Sequence, residues 1–373
     1  MPSLRDFWRR HKRKVFATLG ILGSGYALYK LYDAHRQRLY DLERELEGQR
    51  ETEELIKAQL QAHFENIQKI ADSTTLPYAM HFLRSRISEE LDISPLTGRL
   101  LQGKGHPNTL TSLEKLELWE RLKVLSFTIM VLSLWTMTML NLYVRVQVNI
   151  LGRHLYIDTA RNQDLGYAYL PEEVDPFNRH GQQEFLASSD YLSSYRLNKV
   201  IVNMQMAAVD VLKGKQLRDP FNTMLLHDTI IQILDMFMSM NGPNHWVTYL
   251  VPENAISYNH QRATSPNDLL PDLTKLDQLM AETRAVLLSS DFGNVVKISL
   301  SAVVDALMEE IGVESSGGSS PSGIPLAKLL PRVAQMGPLL LEEPSSNRFI
   351  QIIRKLPEVE LFYTILYANT PSL

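Results

Sequence analysis

The apolar positions along the chain fall into three patterns. Val15–Tyr29 is a block of fifteen residues without a charge, entered from Arg9-Arg10-His11-Lys12-Arg13-Lys14 and closed by Lys30. Val124–Val144 is a second charge-free block, of 21 residues. Elsewhere apolar residues recur in steps of three and four, the period of a helix with one buried face. Strand-like alternation is scarce. The pattern predicts an all-α fold: an elongated, twisted helical bundle around a long central apolar helix, with an N-terminal membrane-anchor helix.

The first block reads as a membrane address, because a basic flank runs straight into one apolar helix. At 1.5 Å per residue Val15–Tyr29 spans about 22 Å, short of a bilayer core of roughly 30 Å. Extending it to Tyr32, with Lys30 snorkelling, gives about 27 Å. A cleaved signal peptide is the competing reading, with Gly20, Gly23, Ser24 and Gly25 as small residues near a cut. The chain has no cysteine and no Asn-x-Ser/Thr acceptor, which favours an uncleaved anchor over secretion. The expected organisation is a targeting segment and anchor over 1–32 and a helical body over 33–373.

Within the body, Leu39, Leu42 and Leu46, then Ile56, Leu60, Phe64 and Ile67, mark helical faces, with 33–55 a candidate stalk. Pro95, Gly98, Gly103, Gly105 and Pro107 predict a loop over 94–111. Thr111-Ser112 offers an N-cap with Glu114 in the first turn, opening a helix to about Leu151. Residues 152–189 read as irregular, 182–212 as a helix and 221–240 as another. Residues 241–272 read as a long surface connection, followed by helices over 271–289 and 291–311. The Ser/Gly-rich 314–323 reads as a disordered linker. Short helices over 325–335 and 347–355 precede an apolar tail.

Val124–Val144 has two readings. Its length suits a membrane span, and Trp119 and Tyr143 bracket it like interfacial aromatics. A helix apolar all round also suits the centre of a bundle. Ser126, Thr128, Ser133, Thr136, Thr138 and Asn141 dilute the lipid case and favour a buried core.

Composition narrows the chemistry. With 373 residues, 45% hydrophobic and net charge −4, the chain can bury a large core. Its basic residues concentrate in the N-terminal block, so no broad nucleic-acid surface is expected. No Gly-x-x-x-x-Gly-Lys, Gly-x-Ser-x-Gly or His-Glu-x-x-His occurs, and no two histidines stand at ligand spacing. No enzyme, metal, cofactor or small-molecule substrate is expected, although a membrane-tethered enzyme of unknown chemistry stays as an alternative.

The one suggestive constellation is Leu113-Glu-Lys-Leu-Glu-Leu-Trp119-Glu-Arg-Leu-Lys123. On a helix, Leu118, Leu122, Leu125 and Ile129 gather within about 60° as a core face. Trp119 lies about 90° from its centre and Leu116 about 150° away, among Glu117, Glu120, Arg121 and Lys123. A tryptophan and a leucine outside the core stripe suggest an anchor for a partner helix. The bland alternative is that another helix of the chain covers them.

Leu116–Thr128 (LELWERLKVLSFT), Arg145–Asp158 (RVQVNILGRHLYID) and Ile324–Pro331 (IPLAKLLP) resemble the peroxisomal biogenesis factor 3, or peroxin-3, family. The basic block with a short anchor resembles that family's targeting segment. The resemblance implies a non-enzymatic docking receptor in the peroxisomal membrane, reached directly or by way of the endoplasmic reticulum, with its body facing the cytosol. It implies as partners the membrane lipid and the amphipathic N-terminal helix of the chaperone-receptor peroxisomal biogenesis factor 19, in support of membrane-protein insertion. Inheritance or turnover factors are further candidate partners. The family's contacts map onto Trp119, Lys115, Leu101 and Lys328, with Leu116 beside them. The resemblance also favours burial of Val124–Val144 over a polytopic protein with a second span at 124–144. The positive-inside tendency alone would put the basic block in the cytosol and the body across the membrane.

If Val15–Tyr32 is the anchor and Arg9, Arg10, Lys12, Arg13 and Lys14 the targeting block, a chain starting at Asp33 should leave the membrane fraction. Neutralising the five cations should impair sorting while the segment stays helical. Normal membrane residence of the truncated chain would overturn the assignment.

Overall fold

The computed structural model describes residues 54–55, 58–59, 61–105, 111–164, 176–262, 273–312 and 323–368. The anchor, its basic flank, nearly all of the stalk 33–55 and all of 314–323 but Gly323 lie outside them. Phe64–Leu373 forms one compact unit and Met1–His63 another. The architecture below is that of the first.

Helical residues 64–70 (α1) pass through a π-turn at Ala71–Thr75 into α2 (Leu76–Glu90). Next come α3 (Ser94–Gly105), α4 (Ser112–Asp164), α5 (Pro176–Ala187), α6 (Leu197–Leu212) and α7 (Thr223–Ser239). The chain continues through α8 (Ala255–Arg262), α9 (Leu273–Leu287), α10 (Ser290–Ile311), α11 (Leu326–Leu340), α12 (Arg348–Arg354) and α13 (Pro357–Ala368). Among the described residues the only sheet is a ladder of β1 (Pro220–Phe221) with β2 (Ile324–Pro325), antiparallel. The fold is all-α, as the periodicity predicts.

The 53-residue α4 is the axis of the unit. From Ser126 to Leu151 every residue is buried. Helices α11, α6, α13, α10, α2 and α9 all pack on it. The buried segment Val124–Val144 is therefore covered by protein, which is what its scattered hydroxyls favour. Two of those hydroxyls are satisfied inside the helix. Thr128 donates to the Val124 carbonyl at 2.8 Å and Thr136 to that of Leu132 at 2.7 Å, so each returns to the preceding turn.

The sleeve is fixed by contacts from distant parts of the chain. Trp135 meets Phe237 edge-on, with ring centroids 5.0 Å apart. Gln147 donates to the Phe185 carbonyl and to Ser188 Oγ, both at 2.9 Å. The Tyr363 hydroxyl donates to the Leu142 carbonyl at 2.7 Å, and Arg153 to that of Leu366 at 2.9 Å. Asp72 joins two guanidiniums, Arg145 at 3.2 Å and Arg354 at 2.7 Å. Helix α11 packs on α4, with Gly337 against Ile129 and Ser133.

Five boundaries differ from the sequence expectations. Residues 94–105 form α3 and not a loop, because Pro95 sits in the first helical turn, where its missing N–H costs nothing. Helix α4 runs past Leu151 to Asp164, and Gly152 continues it as a close-packing position under Ile67. The helix expected over 182–212 is interrupted. A 3₁₀ turn at Ser188–Asp190 and a π-turn at Leu192–Arg196 separate α5 from α6, with Ser188 and Ser193 bonding back to Phe185 and Asp190. Within 241–262, a turn with positive φ at Asn241, Gly242 and Asn244 leads into buried Trp246, Val247, Tyr249, Leu250 and Val251 and then α8. The section around 246–251 is therefore core, whereas Asn241, Pro243 and Asn244 of the same connection are exposed as expected. The apolar tail is the helix α13.

A Cβ built at Gly337 would stand 2.5 Å from Ile129 Cγ2, which belongs to a stiff β-branched side chain. Gly337→Ala should therefore cost about 1–3 kcal/mol by chemical denaturation. The penalty should shrink in an Ile129→Ala background, where the opposing methyl is gone. Equal penalties in the two backgrounds would show that α11 and α4 do not meet there.

Candidate functional site

The first three turns of α4 are covered on one face only. Thr111 and Glu114 begin the helix with a capping box. Glu114 Oε2 accepts from the Thr111 backbone N–H at 2.7 Å and from its hydroxyl at 2.9 Å. Thr111 Oγ1 accepts from Glu114 N–H at 3.2 Å. The bonds from Thr111, the backbone one first, hold the Glu114 carboxyl below the usual carboxylate range, and Arg99 of α3 adds attraction. Helix α3 packs on α4.

Beyond the cap, Leu118, Leu122 and Ile129 are buried, as the helical wheel predicts, while Leu125 is half-buried. Leu116 is 54% exposed, and Trp119 and Lys115 are half-buried. Lys115, Trp119 and Lys123 stand four residues apart and share a face, with Leu116 beside them. Lys123 departs from the sequence expectation. It was placed among the surface charges around Trp119, yet it is only 3% exposed. Its Nζ donates to the Lys215 carbonyl at 2.7 Å and lies 2.6 Å from Glu120 Oε2. A buried ammonium is tolerable because it has both partners.

Through Lys123 the site acquires a third element, the turn 213–219 between α6 and β1. The same turn binds the start of α11: Leu217 accepts from Ala327 N–H at 2.9 Å and Asp219 from Leu326 N–H at 3.0 Å. Beside these, Phe221 pairs with Ile324 and Pro220 with Pro325. Lys328 follows directly and is exposed. The structure thus places Lys115, Leu116 and Trp119 on one side of α4, and Lys328 in the first turn of α11, whose start is bonded to the turn that also accepts from Lys123. Leu101 is carried on α3, 68% exposed, on the side away from buried Leu96.

The turn itself was missed in the sequence. Its signal is a short basic run, Lys213-Gly-Lys215-Gln-Leu-Arg218, between two helices. What could not be read was that a lysine 92 residues earlier ties into it. On α4 itself, exposed Leu116 and half-buried Trp119 stand beside the Lys115 ammonium. Among the described residues no group of three or more His, Asp or Glu could hold a metal ion.

Comparison with known proteins gives concordant results. A sequence model of the family described as Peroxin-3 matches residues 104–369. Peroxisome biogenesis protein 3-2 of Arabidopsis thaliana is 53% identical over 372 residues, 100% of both chains. Peroxisomal biogenesis factor 3 of Homo sapiens is 27% identical over 399 aligned positions, 100% of this chain and 99% of the relative. That of Yarrowia lipolytica is 21% identical, covering 98% and 99%.

The depressed Glu114 pKa makes the cap acid-sensitive. Its stabilising contribution is complete above the unfolded carboxylate value and is lost as pH falls through the lower folded value. Amide protection factors over 112–116 should fall on acidification while those of 124–144 hold. In Glu114→Gln the N-terminal protection should no longer follow pH. Unchanged acid sensitivity in that variant would remove Glu114 from the cap.

Proposed function

The chain belongs to the Peroxin-3 family, and from that membership we propose that it serves peroxisome biogenesis as a docking receptor in the peroxisomal membrane. The helical unit faces the cytosol and binds the amphipathic N-terminal helix of peroxisomal biogenesis factor 19. Membrane proteins carried by that partner are then handed on for insertion. In this reading the protein is not an enzyme. Val15–Tyr32 holds it in the bilayer.

The observation that carries the reading is the first section of α4. The helix is covered on one face only there, and Leu116 and Trp119 reach solvent beside Lys115, while Lys328 is exposed in the first turn of α11. A half-covered tryptophan flanked by an exposed leucine offers a partner helix one rigid anchor and one adaptable contact. The lysines at the edge steer an oppositely charged partner and set the encounter rate more than the final affinity. Leu101 supplies apolar surface from α3.

Trp119→Ala should weaken binding of the partner helix by at least about 2 kcal/mol, roughly thirtyfold in Kd. Because the indole is half-buried and off the core stripe, the melting temperature should drop by only a few degrees. Lys115→Ala and Lys328→Ala should each cost less and reduce the salt dependence. Calorimetry and circular dichroism on the full chain in detergent give both readouts. Unaltered affinity of Trp119→Ala would refute the docking site, and general unfolding would return Trp119 to the core.

A further inference from the structure

We infer that the turn 213–219 is a charged wall of the docking surface and selects a partner segment bearing a run of carboxylates beside its apolar stripe. The inference rests on the docking reading of Trp119 and adds to it a determinant on a separate element. Lys213 and Arg218 are exposed and Lys215 half-exposed. None of the three, nor Lys115 or Lys328, forms an ion pair among the described residues.

Three of the carboxylates at this end of the unit are committed elsewhere. Glu114 is held by Thr111, Glu120 lies 2.6 Å from Lys123, and Asp219 accepts from the Gln216 N–H at 2.6 Å. Glu117 is exposed, but at two residues from Trp119 it points about 160° away around the helix, and exposed Asp210 lies one turn before Lys213 on α6. Around Trp119 itself, Lys115 and the cations of the turn are without ion pairs among the described residues, while Glu114, Glu120 and Asp219 are held by partners. Lys213, at the C-terminal cap of α6, also complements that helix's dipole. The dipole does not account for Lys215 and Arg218, which lie beyond the helix end.

The wall is preorganised. Gly214 takes φ +85°, Asp219 closes the turn on Gln216, and backbone bonds to Lys123, Leu326 and Ala327 fix it on both sides. Cations on a fixed turn lose little freedom when a partner arrives. Lys115 and Lys123 are about 12 Å apart along α4, so two to three turns of a partner helix would lay its apolar stripe over Leu116 and Trp119 and bring its acidic run to the turn.

The probe is the N-terminal helical segment of peroxisomal biogenesis factor 19, bound to the full chain in detergent at low and at high salt. The variant combining Lys213→Gln, Lys215→Gln and Arg218→Gln should bind roughly tenfold more weakly at low salt, mostly through a slower on-rate, and near normally at high salt. Trp119→Ala should fail at both. As a second test that leaves the chain unaltered, the same segment with its Asp and Glu changed to Asn and Gln should lose a similar factor on the wild-type protein. If both the triple variant and the amidated segment bind with full affinity and full salt dependence while Trp119→Ala fails, the turn plays no part and the docking reading stands. If the wild-type chain does not bind the segment, or Trp119→Ala binds normally, the docking reading falls and the inference with it.

Discussion

Everything in this unit depends on one helix that has no face suited to water. Helix α4 is charge-free from Val124 to Val144 and buried from Ser126 to Leu151. An amphipathic helix needs cover on one side, whereas α4 needs it all round. The remaining helices satisfy that need from several directions, and some approach closely enough that only glycine fits, as at Gly337 and Gly152. The polar groups of the sleeve turn inward to the same helix. Tyr363, Arg153 and Gln147 tie the sleeve to α4, the first to a carbonyl of α4 and the others as side chains of α4 reaching outward.

The exposed side of the first turns of α4 follows from where that cover stops. The capping box sets the start of α4 ahead of its covered section, so its first turns present side chains that the sleeve does not reach. The same face is pinned just beyond those turns, by Lys123 to the Lys215 carbonyl. One helix thus serves as core at one level and as surface at the next. The changeover falls between Trp119, half-buried, and Ser126, fully buried.

Much of this was legible in the sequence because it is written in local periodicity. The central helix, its N-cap, the buried face of Leu118, Leu122 and Ile129, and the exposed side with Leu116 all follow from residue spacing. The misreadings share a cause, which is that punctuation residues mean different things in different partners' company. Pro95 and Gly152 read as breaks, yet one sits harmlessly in a first turn and the other makes room for Ile67. Buried Trp246 and its neighbours escaped because the run is too short to show a period. Lys123 reads as surface since a lone lysine gives no hint of a carbonyl waiting 92 positions away. Contacts of that separation belong to topology, and a single sequence does not display them.

The Tyr363–Leu142 bond has a consequence for how the protein is made. The tyrosine follows the carbonyl it reaches by 221 residues. At a synthesis rate of about 5–20 residues per second, the ribosome delivers it some 10–45 s after Leu142. For that interval the nascent chain carries a helix as long and apolar as a bilayer span without the full set of segments that will enclose it. Whether Val124–Val144 ends inside protein is then a race between translation and any insertion machinery within reach. A chaperone that shields the segment until the last helix has emerged would decide the outcome as much as the stability of the finished fold.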